Sequence, residues 1–177
     1  LLDRIVVGLD PATTAGAGSD ECGIVVVGAQ TQGPPQDWRA VVLADCTVQG
    51  ATPSGWARAA ISAMAQYGAD RLVAEVNQGG QMVAEVLRQV DPLVPVKSVH
   101  ASRGKVARAE PVAALYEQGR VGHVAGLDAL EDQMCRMTAR GYEGGGSPDR
   151  VDALVWALHE LMIEPAAQWR MPGVRGL

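Results

Sequence analysis

The first apolar run of the chain is short and β-branched: in residues 4–11, RIVVGLDP, Ile5, Val6, Val7 and Leu9 predict a buried strand that delivers Asp10 to a turn opened by Pro11. Residues 12–21, ATTAGAGSDE, are small, polar and Gly-rich, and read as a loop or wide hairpin turn. A second strand is expected over 23–29 (GIVVVGA), a turn over 30–37 around Gly33, Pro34 and Pro35, and a third strand over 40–48, its pattern partly broken by Asp45 and Cys46. Three strands joined in this way make a meander.

The periodicity changes at Thr52. Thr52 or Ser54 can cap a helix whose apolar residues Trp56, Ala60, Ile61, Met64 and Tyr67 recur every three or four positions. A short strand follows at 71–76, a turn through Asn77, Gly79 and Gly80, and a helix over 81–90 that Pro92 stops. Further expectations are a strand over 93–99, a helix over 102–118 ended by Gly119, a brief edge strand at 121–124 and a helix over 127–138. Residues 141–146, GYEGGG, read as a flexible turn, and a last helix starts at Ser147, Pro148 and Asp149 and runs through Leu154, Val155, Leu158 and Leu161. A meander followed by alternating strands and helices predicts an α/β fold: one mixed sheet, antiparallel first and parallel later, flanked by helices.

Composition narrows this picture only a little. With 177 residues, 47% apolar and 20% charged, the chain suits one globular domain over 1–177. No apolar run approaches the roughly 20 residues that span a bilayer, and no secretory leader precedes the first strand, so a cytoplasmic protein without a membrane partner is expected. Cys22, Cys46 and Cys135 are widely spaced with no CxxC pair, which suits buried thiols in a reducing compartment and not a zinc site. The first strand follows Leu1 almost at once with no initiator Met, as in a fragment or a processed chain. Gly8 belongs to no GxGxxG and there is no GxxxxGK[ST], which excludes dinucleotide binding and P-loop ATP hydrolysis within this stretch. A net charge of −5 argues against a protein that coats nucleic acid, but not against an enzyme that meets phosphate through a local basic patch or through cations.

The candidate chemistry lies in four acids at predicted element ends. Asp10 closes the first strand, and Glu75 stands near the end of LVAEV; if those strands are parallel neighbours, both acids leave the same sheet edge. Asp149 and Asp152, three apart at the start of the last helix, share a face. Each has an ordinary alternative: Asp149 as a helix-start acid, Asp10 as a turn former. Glu75 is the hardest to explain that way, because glutamate rarely sits buried and unpaired in an apolar strand. Clustered carboxylates repel, and divalent cations such as Mg²⁺ or Mn²⁺ relieve the repulsion with oxygen ligands. Two such ions clamp a phosphodiester for in-line displacement. Asp10 is expected to bridge them, with Glu75 and Asp149 completing the two spheres. Asp152 is a supplementary ligand or a water-orienting group, and it and Asp149 can exchange roles.

The blocks VVGLDPA, SDECGIVVVG, LVAEVNQGGQMV, VKSVHASRGKVARAEPVAALYEQGRVGHV and SPDRVDALVWAL, in this order, resemble the C-terminal nuclease domain of the large terminase subunit of tailed phages, with the flavour of prophage and gene-transfer-agent packaging proteins. The resemblance runs from Ile5 to about Leu161. It implies a ribonuclease-H-like fold and two-metal cleavage of concatemeric double-stranded DNA. It also implies an N-terminal ATPase motor outside this stretch, and a portal protein and small terminase subunit as partners. By the same likeness Asp10 matches the acid ending the first strand, Glu75 the acid ending the fourth, and Asp149 the terminal-helix Asp, while Asp152 matches a position whose part varies between branches. Many relatives carry a His or Asp just before the residue matching Asp149; here it is Pro148. A catalytically silent scaffold of the same fold and a junction-resolving nuclease are the alternatives.

Arg103, Lys105 and Arg108 form a dense cationic group near the start of the third long helix, either solvated or in contact with phosphate beside the metals. Arg150 is a phosphate contact or the partner of a neighbouring acid. Asp20 is a solvated loop acid unless its hairpin reaches a metal. His100, His123 and His159 have no ligand-like spacing, and Trp56 and Trp156 fall on apolar helix faces as core residues.

Overall fold

Successive valines of the first strand point to opposite sides of a sheet, and each side is covered by its own helices. The computed structural model describes residues 1–11, 21–76 and 81–169. Strands β1 (Arg4–Asp10), β2 (Glu21–Gln30) and β3 (Arg39–Asp45) form the expected antiparallel meander. After helix α1 (Pro53–Tyr67) come β5 (Arg71–Glu75), α2 (Gln81–Val90) and β6 (Val96–Val99), with β4 (Val48–Gln49) a two-residue strand before α1. Then follow α3 (Lys105–Glu117), β7 (Val121–His123), α4 (Asp128–Cys135), the small hairpin β8 (Met137–Thr138) and β9 (Gly141–Tyr142), and α5 (Asp149–Leu158). The chain continues through a π-helical turn (His159–Ile163) into α6 (Glu164–Gln168). Strand order in the main sheet is β6-β5-β1-β2-β3-β7, with β4 also paired to β2. β5 runs parallel to β1, β6 to β5 and β7 to β3, so the sheet is mixed as expected, with β7 on its edge.

Val7, Leu9, Ile24, Val26 and Leu72 pack on Trp56, Ala60 and Met64 of α1 and Leu87 of α2. On the opposite face Val6, Val25, Val27 and Val73 pack on Leu115 of α3, Leu130 of α4 and Leu154 and Leu158 of α5. The period-2 alternation of the strands therefore sends residues 6, 8 and 10 of β1 toward α5. Thr52 caps α1 as expected, its Oγ1 accepting from the Gly55 N–H at 3.2 Å.

Several boundaries differ from the sequence reading, each for a local reason. β3 ends at Asp45 and not at Val48, because the Asp45 carboxylate accepts from Thr47 N and turns the chain, so that Val48–Gln49 pairs separately. The strand expected from Leu93 begins at Val96; Asp91 accepts from the N–H of Leu93 and holds a turn before Pro95. The helix expected over 102–118 begins at Lys105, and Gly119 follows it with φ +65°, as a C-terminal glycine should. The helix expected to reach Thr138 stops at Cys135, and part of the supposed flexible turn is β9, tied by Thr138 Oγ1 donating to the Gly141 carbonyl at 3.0 Å. Of the cysteines only Cys22 is buried; Cys46 is half-buried and Cys135 exposed, against the expectation of buried thiols. No helix among the described residues is long and apolar enough to cross a membrane.

Beyond α5, the π-helical turn carries Glu160, which is 5% exposed. It accepts from Arg4 at 3.2 Å, Arg71 at 2.8 Å and Lys97 at 2.6 Å, and Lys97 also reaches Glu164 at 2.7 Å. Burial alone would raise the Glu160 pKa, but these cations bring it below the usual glutamate value.

Candidate metal centre

At the opposite end of the sheet, β1 and β5 finish side by side. Their parallel register pairs Leu9 with Ala74, so Asp10 and Glu75 occupy the next equivalent positions and face the same side. In the antiparallel register with β2, Asp10 lies opposite Gly23. A Cβ on Gly23 would sit 2.0 Å from the carbonyl oxygen of Asp149, and one on Gly8 would sit 2.0 Å from that of Ala153. Two glycines on adjacent strands thus let the backbone of α5 lie directly on the sheet, a close approach that any side chain would block. The first turn of α5 is thereby seated over the end of β1.

This seating brings together three of the four predicted acids. One carboxylate oxygen each from Asp10, Asp149 and Asp152 lies within 4.8 Å of the other two. Asp10 and Asp152 are buried, at 9% and 4% exposure, and Asp149 is partly exposed. Burial, then the negative charges of Asp152, Glu75 and Asp149, push the Asp10 pKa well above the ordinary aspartate value. Burial likewise raises Asp149 and Asp152, against lowering by Ser147 and Lys105 for the former and by Lys105 and Arg108 for the latter.

Glu75 is adjacent but differently held. Its Oε2 accepts from Trp156 Nε1 at 2.7 Å and from Arg108 Nη1 at 3.1 Å, and the Arg108 guanidinium stacks 4.7 Å from the centre of the Trp156 ring. Arg108 is 7% exposed, so it is an interior partner of Glu75 and not a surface cation, and its backbone carbonyl accepts from His159 Nε2 at 2.9 Å. Lys105 donates to Asp152 and, at 3.1 Å, to Ser147. Arg103 is exposed and lines a cleft with His100, which Arg108 and Trp156 also line. Arg150 takes its ordinary option: it pairs with Glu21 and, at 2.8 Å, with Asp45, tying the start of α5 to β2 and β3. Asp20, like Gln78, Gly79 and Gly80, lies outside the described residues.

Sequence reasoning missed Trp156 as a site residue, because an indole on an apolar face reads as core. It also passed over Gly8 and Gly23, although a glycine inside a β-branched run is itself a signal of close backbone approach. The donor set is all carboxylate oxygen, the chemistry that hard divalent cations take, and burial together with mutual repulsion raises the pKa of Asp10. The residues present therefore fit a divalent metal.

Comparison with known proteins supports the fold. The family model of the terminase RNaseH-like domain matches residues 7–161. No curated protein matches the chain. Among solved structures, the large terminase nuclease from thermophilic phage G20c is similar with a TM-score of 0.63 at 20% identity, over 89% of this chain and 82% of that one. Its form with bound cobalt gives 0.65 at 19%, over 89% and 81%. The nuclease domain of g2p, the large terminase of bacteriophage SPP1, with bound Mn, gives 0.58 at 13%, over 90% and 87%.

Proposed function

The chain belongs to the terminase RNaseH-like domain family, and on that premise we propose that it is a metal-dependent endonuclease that hydrolyses phosphodiester bonds of double-stranded DNA. The observation that carries this reading is the meeting of Asp10, Asp149 and Asp152 within 4.8 Å, from a strand end and a helix start that are far apart in sequence.

Asp10 is the candidate shared ligand, since its strand is hydrogen-bonded on both sides, by β2 and β5, and fixes the carboxylate rigidly. Asp149 and Asp152 of α5 would hold a cation on one flank, and Glu75 would complete the other. Two bound divalent ions, Mg²⁺ or Mn²⁺, would lower the pKa of an attacking water and neutralise charge on the departing oxygen. Trp156 and Arg108 hold the Glu75 carboxylate in place by hydrogen bonds, while Arg150 fixes the start of α5 to the sheet. Arg103, exposed and lining the cleft, would meet a phosphate oxygen. The solved relatives described as terminase nucleases with bound cobalt or Mn support the choice of chemistry. In the full protein the domain would cut concatemeric DNA in the bacterial or host cytoplasm as a phage-like capsid fills. It would act with an N-terminal ATPase motor, a portal protein and a small terminase subunit.

The test is digestion of supercoiled plasmid with no added metal, with Mg²⁺ and with Mn²⁺, comparing the parent chain with Asp10→Asn. Metal-dependent nicking or linearisation that the variant loses is the expected result. A folded parent chain with no cleavage under any ion would leave a DNA-binding scaffold in place of an enzyme.

A further inference from the structure

The acids of the candidate centre are met by two cations from one helix. Lys105 and Arg108, three apart on α3, share a face, and one reaches Asp152 while the other reaches Glu75. Their situations differ. Arg108 is 7% exposed, stacked on Trp156 and 4.0 Å from Asp152, so it is locked by packing. The Lys105 side chain is 43% exposed, carried on a flexible stem, and anchored by polar contacts to Asp152 and Ser147. It is also the first residue of α3, where the helix dipole disfavours positive charge, and its N-cap Gly104 offers no side chain. The carboxylates are what keep the ammonium there: Lys105 acts electrostatically on Asp10, Asp149 and Asp152 alike.

We infer that Lys105 is a built-in, displaceable counter-cation, whose ammonium holds the Asp152 side of the centre in the metal-free chain and which a divalent ion must expel to gain that carboxylate. The inference rests on the metal-dependent reading above. A divalent ion on Asp152 removes the negative charge that retains the lysine, and two cations cannot share one carboxylate oxygen without repulsion. The expelled ammonium, already half in solvent, becomes available to a phosphate oxygen of the substrate. Lys105 thus lowers metal affinity without DNA and acts as a positioning residue through Asp152. Arg108 stays in place throughout.

Mn²⁺ binding to the DNA-free chain, followed by calorimetry and by the electron paramagnetic resonance of the unbound ion, tests this in the parent and in Lys105→Gln, which keeps hydrogen-bonding capacity without charge. Lys105→Ala provides a second variant, and circular dichroism checks that each is folded. The expected result is Mn²⁺ affinity at least about tenfold higher in both variants. Unchanged or weaker binding in folded variants, with the parent binding Mn²⁺ normally, overturns the role of Lys105 and leaves the metal centre standing. No Mn²⁺ binding by the folded parent or by either variant overturns both.

Discussion

Gly23→Ala is expected to damage the candidate centre more than it damages the fold. The new methyl would start 2.0 Å from the Asp149 carbonyl oxygen, and ordinary carbon–oxygen contacts begin near about 3.3 Å, so the start of α5 must retreat by about 1.3 Å (3.3 − 2.0). The obstacle is backbone, pinned by α5 packing and by Arg150 on Glu21 and Asp45, so the retreat is not a side-chain adjustment. Overpacking of this kind costs about 1–3 kcal/mol, and a domain of this size loses about 2–4 °C of melting temperature per kcal/mol. The same retreat draws Asp149 away from Asp10, and a displacement of about 1 Å at a reacting centre costs about 100-fold in rate. Gly28→Ala is the control: its methyl meets Leu2 Cδ1 at 2.5 Å, the tip of a side chain that can swing aside, and the expected change is within about 0.5 kcal/mol. Thermal unfolding with and without Mn²⁺, paired with plasmid cleavage, reads all three proteins. If Gly23→Ala retains both the parent's Mn²⁺-induced rise in melting temperature and its cleavage rate, the seating of α5 does not govern the site.

Three further outcomes are expected. Trp156→Phe removes the N–H that Glu75 accepts and should cost about 1.5–3 kcal/mol, with cleavage falling by more than the lost folded fraction accounts for; a parallel loss of both would make Trp156 a packing residue alone. Glu160→Gln leaves Arg4, Arg71 and Lys97 facing a neutral amide, and since these cations are 34–45% exposed and can rehydrate, urea unfolding should show a loss of about 1–3 kcal/mol, whereas no loss would mean the buried carboxylate adds nothing. The raised pKa values of Asp10, Asp149 and Asp152 mean that the folded metal-free chain holds more protons than the unfolded chain above the ordinary aspartate value of 3.8, so these groups cost stability increasingly as pH rises through their folded-state values. Metal binding must displace those protons, so the Mn²⁺-induced rise in melting temperature should grow as pH rises above the ordinary aspartate value, and a rise that shrinks with increasing pH contradicts the assignment.

Two of the acids were legible from their places in the apolar pattern. Glu75 interrupts an apolar strand and Asp10 ends one, so local pattern marks both; that they share an edge depends on the parallel pairing of β1 with β5, which the apolar pattern does not specify. Arg108 was legible only as one cation among three, since what buries it is the meeting of α3 with Trp156, a contact between residues 48 apart in sequence (156 − 108). The end of β3 and the β8–β9 hairpin were missed for another reason. Both are decided by single side chains, Asp45 and Thr138, that bond to nearby backbone and override the apolar pattern around them.

The buried Glu160 gives the far end of the molecule a part in the near one. β1 runs from Arg4 to Asp10, β5 from Arg71 to Glu75, and α5 leads from Asp149 into the π-helical turn that holds Glu160, so each of these segments carries charge at both tips. Three rods fastened together at one end cannot slide lengthwise past one another at the other. Mutual repulsion among the crowded carboxylates is thereby kept from shifting their depth, and a cation arriving there finds its ligands already level with one another.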